Sequence, residues 1–251
     1  MSDAPILSCS KLVRRFGDFT AVGGIDFAVK AGTIHAVIGP NGAGKTTFFN
    51  LLTRFLPASG GTIRFMDHDI TDVSAEKVAK LGLVRTFQIS AVFQSLSLLD
   101  NIRIALHQRL GGTMAFWRSG RSMNRLDTRA MELLDRVGLA DRAQDTAGQL
   151  SYGRKRALEL ATALALDPRM LLLDEPLAGM GSEEIDRIAD LIRKIARDRT
   201  VLMVEHNLSV VAALADEITV LAQGRLLAQG NYAEVSSNPA VIEAYIGHAH
   251  D

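Results

Sequence analysis

The stretch Gly39-Pro40-Asn41-Gly42-Ala43-Gly44-Lys45-Thr46-Thr47 has the spacing G-x-x-x-x-G-K-[ST]. Its glycines let the backbone curl so that several N–H groups point at one anion. A helix beginning at Lys45 would add the partial positive charge of its N-terminus. Lys45 would then reach the β- and γ-phosphates of a nucleoside triphosphate, and the Thr46 hydroxyl would hold Mg²⁺. The plainer alternative is a glycine-rich turn, and the apolar run Ile34-His35-Ala36-Val37-Ile38 in front argues against it. A second group is Met170-Leu171-Leu172-Leu173-Asp174-Glu175-Pro176, an apolar run ending in two acids. There Asp174 would hold the metal bound to the triphosphate, and Glu175 would accept a proton from an attacking water. Leu150-Ser151-Tyr152-Gly153-Arg154 opens a helical stretch with Ser151 as a natural N-cap. Ser151 and the Gly153 N–H would form a second anion site, or simply a helix cap. His206 follows another apolar run, where a histidine belongs as readily to a core as to a site.

Positioning these groups requires a particular order of elements. Short strands are predicted over 6–12, 22–30 and 33–38, with turns at Gly17-Asp18 and Ala31-Gly32. The phosphate loop then enters a helix at about 45–54. A strand over 62–65 is followed by polar turn residues from Asp67 to Asp72. A helix over 74–81 carries capping-type spacing at Ser74-Ala75-Glu76-Lys77, and a strand covers 83–87. Residues 88–149 differ in character: Leu96, Leu99, Ile102 and Leu106 recur with helical periodicity. A second helix over 122–137 places Met131, Leu134 and Val137 on one face. This region reads as a helical subdomain inserted into an α/β core. Beyond 150, helices over 152–166, 183–197, 207–215 and 238–246 are interspersed with strands over 170–174, 200–204, 217–222 and 225–229. Such alternation predicts a mostly parallel sheet covered on both faces.

Composition narrows the function. Lys+Arg and Asp+Glu stand at 28 each, so no net basic field draws the chain to nucleic acid. The lone Cys9 reads as a packed small residue in a reducing compartment. The opening Met1-Ser2-Asp3-Ala4-Pro5 has neither the basic nor the apolar region of a signal peptide. The apolar stretches near 157–173 and 208–223 are broken by charges, short of the ~18 apolar residues of a membrane span. A soluble cytoplasmic chain is expected. His248 and His250 read as incidental in a terminal tail.

Taken in order, GPNGAGKTT, Gln88 after a strand, LSYGR, LLLDEP and Val204-Glu205-His206 resemble the motifs of an ATP-binding cassette (ABC) ATPase. The resemblance covers nearly the whole chain. It implies one cassette over 1–251, an α/β P-loop NTPase fold with a RecA-like mostly parallel core and an antiparallel β part. In that division about 1–87 and 150–251 form the core, and about 88–149 form the helical subdomain. Two cassettes of this family pack head to tail, and each ATP lies between one phosphate loop and the partner's LSYGR-type segment. Carried over on this basis, Phe16 stacks on adenine, and its other reading is an aromatic that anchors the antiparallel strands. Gln88 meets Mg²⁺ and the attacking water, Glu175 is the general base, and His206 contacts the γ-phosphate. Ala178-Gly179-Met180-Gly181 faces the opposite subunit. Tyr152 and Arg154 stand where Gly and Gln are usual, and Gly181 stands where Asp or Asn is common, which bears on coupling between the two sites.

Several features resemble the longer ATPase of branched-chain and hydrophobic amino-acid importers. These are Arg85-Thr86-Phe87-Gln88, Leu98-Leu99-Asp100-Asn101-Ile102, the insert over 107–127, Glu205-His206-Asn207-Leu208-Ser209-Val210-Val211, and the tail from Asn238 to Gly247. The resemblance implies ATP and Mg²⁺ as cofactors. Its implied partners are permease subunits, a second ATPase chain, the same or different, and, indirectly, a periplasmic solute-binding protein. It implies a peripheral location on the cytoplasmic face of the inner membrane. Urea or short-amide importers and the lipopolysaccharide-export ATPase are weaker matches. A cassette acting on DNA or ribosomes, or a small-molecule kinase, fits less well. Arg118, Arg121, Arg125 and Arg129, after Trp117, read as a solvated basic face or as a contact with lipid headgroups or permease.

Overall fold

The computed structural model of the chain describes residues 4–86, 92–109 and 120–246, without the side chains of 120–124 and 246. β1 (Leu7–Phe16) and β2 (Phe19–Val29) form an antiparallel hairpin, and β3 (Ile34–Ile38) leads into the phosphate loop and α1 (Lys45–Leu52). β4 (Gly60–Phe65), β5 (His68–Asp69), α2 (Ala75–Lys80) and β6 (Leu83–Arg85) follow. α3 (Leu98–Arg109), α4 (Gly120–Arg136), two 3₁₀ turns (Ala140–Arg142 and Ala147–Gln149) and α5 (Tyr152–Ala165) form a helical run. The chain then alternates through β7 (Met170–Asp174), α6 (Ser182–Ala196), β8 (Thr200–Val204), α7 (Leu208–Leu214), β9 (Glu217–Ala222) and β10 (Arg225–Gly230). It ends on α8 (Tyr232–Ser236) and α9 (Pro239–Ile246).

Two sheets result. The antiparallel sheet has the order β2-β1-β4-β5, and the larger one has the order β10-β9-β3-β8-β7-β6. Within the larger sheet only β10 runs antiparallel to its neighbour. β3, β7 and β8 are buried along their whole length. Period-two alternation sends their side chains to opposite faces. Ile34, Ala36, Leu171, Leu173, Val201 and Met203 join the cluster packed with α3, α5 and α6. Val37, Leu172, Leu202 and Val204 join the cluster packed with α1 and the antiparallel sheet. α1 lies in that second layer with Phe48, Phe49, Leu51 and Leu52 fully buried, and Phe27 meets Phe48 edge to face at 5.2 Å.

The elements differ from the sequence expectation at several places. The inward face of α4 is Ala130, Leu133 and Leu134, whereas Met131 is exposed. Ala130, one position back, takes the core contact with Leu133 and Leu134, because three- and four-residue spacings both serve a helix face. Ser74 and Ser151 do occupy N-cap positions, but neither side chain caps. Glu76 instead pairs with Lys80 at 2.6 Å. The polar run after β4 contains the short β5, and α8 lies where no helix was expected. Asn231 and Glu234 form a complete capping box there. Cys9 is buried and its thiol is pushed up to about 12, chiefly by burial, as befits a packing residue.

His35 is buried in β3 with Nε2 2.8 Å from Thr219 Oγ1 and Nδ1 3.8 Å from Glu217. Burial outweighs the attraction of Glu217 and lowers its pKa from 6.5 to about 4. Between those values the unfolded chain binds the proton and the folded chain does not. Stability from this residue is therefore complete above 6.5 and is lost as pH falls toward about 4. Urea midpoints measured from pH 7.5 to pH 4 are expected to fall less steeply for His35→Gln than for the wild-type chain.

Candidate functional site

The phosphate loop leaves β3 at the C-terminal end of the parallel sheet, where open α/β sheets place their ligands. Close packing shapes it. Gly39 has φ 152°, and a Cβ there would lie 2.1 Å from the Leu221 carbonyl oxygen of β9. Gly44 has φ 93°, and a Cβ there would lie 2.6 Å from the Ala21 carbonyl oxygen of β2. Only glycine meets both demands, the backbone conformation and the space. Gly39 and Pro40 are buried, as is Ala43, while Asn41 and Gly42 face solvent. Gly44 is also the N-cap of α1 and supplies no side-chain cap, so the first-turn amides are not met from that position. Thr46 is exposed and Thr47 half-buried at this helix start.

Lys45 folds back over the loop and donates to the carbonyls of Gly39 at 2.7 Å and Pro40 at 2.9 Å. Partial burial lowers its pKa, and the field of Glu175 opposes that shift. Glu175 and Lys45 thus face one another electrostatically. Glu175 follows β7 with φ 45°, an uncommon backbone region for a side-chain-bearing residue. Three elements hold its peptide. Its N–H donates to Val204 O at 3.0 Å, and its carbonyl accepts from Ala178 N at 3.2 Å. The carbonyl also accepts from Arg156 Nη2 at 3.4 Å, and Arg156 is ion-paired within α5 to Glu159 at 2.7 Å. Strained conformations of this kind persist where the surroundings over-determine them.

Asp174 ends β7 with Oδ2 2.6 Å from Arg85 Nη2, a buried ion pair. Arg85 also donates to Asn50 Oδ1 of α1 at 2.6 Å and lies 5.9 Å from the Phe49 ring centroid. Arg85 pairs with Leu172 in the parallel register, so Asp174, two residues further, presents on the same face. The remaining carboxylate capacity of Asp174 and the Thr46 hydroxyl are hard oxygen donors, a set that suits Mg²⁺.

His206 is exposed just beyond β8, and its backbone N–H donates to Glu205 Oε2 at 3.2 Å. Ser151 is exposed at the start of α5, whereas Gly153 is buried and its N–H donates to Glu184 Oε1 of α6 at 3.2 Å. Phe16 is 47% exposed at the tip of the hairpin, with the Arg14 guanidinium 4.6 Å above its ring. It lies opposite Phe19 in the antiparallel register and leaves about half of its surface open. Gln88 and Phe87 lie outside the described residues, as do Trp117, Arg118, His248 and His250. The Arg121 side chain is likewise not described. Arg125 is exposed, and Arg129 pairs with Glu132 at 2.8 Å.

Arg85, Glu205 and Tyr245 of α9 entered the sequence reading only inside longer segments, with no role of their own, and Arg156 was not named; the Tyr245 hydroxyl meets the Gly39 backbone while burial raises its pKa. No local pattern marks these residues, since each acts across elements. A cavity of about 350 Å³ opens beside the site between α2, β6 and α3, lined by Phe55, Ala79, Val84, Phe93, Ile104 and Ala105.

Comparison with known proteins is consistent along the chain. The family model for ABC transporters matches residues 22–178, and one for branched-chain amino acid ATP-binding cassette transporters matches 225–251. The high-affinity branched-chain amino acid transport ATP-binding protein BraF of Pseudomonas aeruginosa is 40% identical, covering 98% of this chain and 99% of its own. LivG of Escherichia coli, of the same description, is 36% identical over 98% and 99%. The crystal structure of the ADP conformation of MJ1267, an ATP-binding cassette of an ABC transporter, superposes with a TM-score of 0.86. It is 30% identical and covers 97% and 99% of the two chains.

Removing one member of the buried Arg85–Asp174 pair leaves a charge without its partner. Arg85→Met is expected to lower stability by about 3–5 kcal/mol, and Arg85→Met with Asp174→Leu to recover most of it, both read from denaturant unfolding.

Proposed function

The chain belongs to the ABC transporter family, and from that premise we propose that it is the ATP-binding and ATP-hydrolysing subunit of an importer for branched-chain or other hydrophobic amino acids. The observation that carries this reading is the full-length likeness to branched-chain amino acid transport ATP-binding proteins, which includes the tail beyond residue 225.

In this reading the loop Gly39–Thr47 cradles the phosphates, and Lys45 exchanges its two carbonyl partners for β- and γ-phosphate oxygens. The exposed face of Phe16 stacks on adenine. Thr46, Asp174 and Gln88 hold Mg²⁺, which when bound neutralises developing charge on the phosphates. Glu175 accepts the proton of the attacking water, and His206 steadies the γ-phosphate from the neighbouring strand end.

The chain holds one end of each nucleotide. Ser151 and Gly153 serve the ATP of a second cassette, of the same or a companion chain, packed head to tail. The Gly153 amide must then leave Glu184 to meet phosphate. No described helix is long and apolar enough to cross a membrane, so attachment to the cytoplasmic face of the inner membrane comes through permease subunits. The apolar cavity beside Thr86 receives a segment of one of them, and a periplasmic binding protein delivers the solute.

Glu175→Gln should bind ATP with unchanged affinity and hydrolyse it at least about 100-fold more slowly. Lys45→Ala should lose nucleotide affinity. Normal turnover in the first variant would remove Glu175 from the base role, and unchanged affinity in the second would undo the phosphate-loop assignment.

A further inference from the structure

Glu205 is a buried carboxylate that the proposed chemistry leaves without a task. It follows β8 directly, is 1% exposed, and anchors its own backbone through its N–H to Val37 O at 3.4 Å. Its two oxygens serve two different loops. Oε1 accepts from the Leu177 N–H at 3.0 Å, and Oε2 accepts from the His206 N–H at 3.2 Å. The Asn207 amide nearby also favours its charged form. Burial raises the pKa of this group, against the pull of those amides and of His206.

The position of these partners gives the arrangement its meaning. Leu177 lies two residues beyond Glu175, in the loop that must hold Glu175 at φ 45°. His206 heads the loop after β8. Val204 O, one residue before Glu205, already receives the Glu175 N–H at 3.0 Å. The two loops are thus joined at two points, one through backbone and one through the Glu205 side chain. A single backbone bond leaves a hinge, and the second contact removes it. An ionised carboxylate suits this place because it offers two acceptor oxygens and no donor. Resting on the reading in which Glu175 is the base and His206 meets the γ-phosphate, we propose that Glu205 is a positioning residue that locks the loops of Glu175 and His206 together, so that both address the same phosphate.

Glutamine is nearly isosteric with glutamate but keeps only one acceptor oxygen. Its NH₂ would face either the Leu177 or the His206 N–H, donor against donor. Packing alone would be satisfied by the amide, whereas bridging would not. ATP hydrolysis and ATP affinity should be measured on the full chain as wild type, Glu205→Gln, His206→Ala, the double variant and Glu175→Gln. Glu205→Gln is expected to lower kcat by about 10–100-fold with KM for ATP within about twofold, since small misplacements of reacting groups act on the chemical step. In the His206→Ala background the further loss should shrink below about threefold, because the bridge then has only one end that matters.

Wild-type kcat in Glu205→Gln, or a loss fully additive with that of His206→Ala, would overturn the proposal. Normal turnover in Glu175→Gln would instead strike the reading on which it rests. Amide hydrogen exchange of the wild-type chain tests the bridge without a variant. The Leu177 and His206 amides should be protected and open together, and exchange of either at the rate of a free loop would contradict the bridge.

Discussion

Charge held at the end of an apolar sheet is the constraint on which this molecule depends. β3, β7 and β8 are buried throughout, and the groups proposed to meet phosphate, metal and water stand at their C-terminal ends. A charge taken out of water there must be met by a partner. Arg85 meets Asp174, loop carbonyls meet Lys45, Glu159 meets Arg156, and backbone amides meet Glu205. The Arg85–Asp174 pair and the Leu177 amide on Glu205 join different segments, whereas Lys45 is met within its own loop and Arg156 within α5. Several of the charges gathered there are therefore also ties between the elements. Disturbing one group moves its neighbours, and the fold and the site share one set of contacts.

The ties have a second property: several are provisional. Lys45 rests on carbonyls that a triphosphate would replace, and the Gly153 amide rests on Glu184. These are interactions of moderate strength, satisfied in the free chain and exchangeable without leaving a buried group bare. Others are permanent by geometry. Gly39 is pressed against the Leu221 carbonyl, and Glu175 is pinned through both its N–H and its carbonyl. In the proposed reading such a site separates what must stay rigid, the loop of Gly39 and the Glu175 peptide, from what must let go, Lys45 and the Gly153 amide.

Much of this was legible in the sequence because it is local. The apolar runs of β3, β7 and β8, the glycine spacing of the loop and the acids after β7 all lie within a few residues. The strand limits over 170–174, 200–204 and 217–222 coincide with those observed. What escaped was nonlocal or weakly patterned. The Arg85–Asp174 pair exists because β6 lies beside β7 in a register no local pattern reveals. Glu205 read as a neighbour of His206, and only the fold brings Leu177 to it. The capping-box spacing of Asn231 and Glu234 was present in the sequence, yet α8 is too short to show a periodicity. Ser151 shows the converse, a residue type suited to capping whose side chain makes no cap.

The central claim is that the phosphate loop is half of a site and that a second cassette's α5 completes it. Sedimentation of the Glu175→Gln chain, alone and mixed with a companion cassette, tests this most directly. With saturating Mg²⁺ and ATP the mass should double, and with ADP it should return to that of a single chain. A chain saturated with ATP that sediments as a monomer under both conditions would contradict the account.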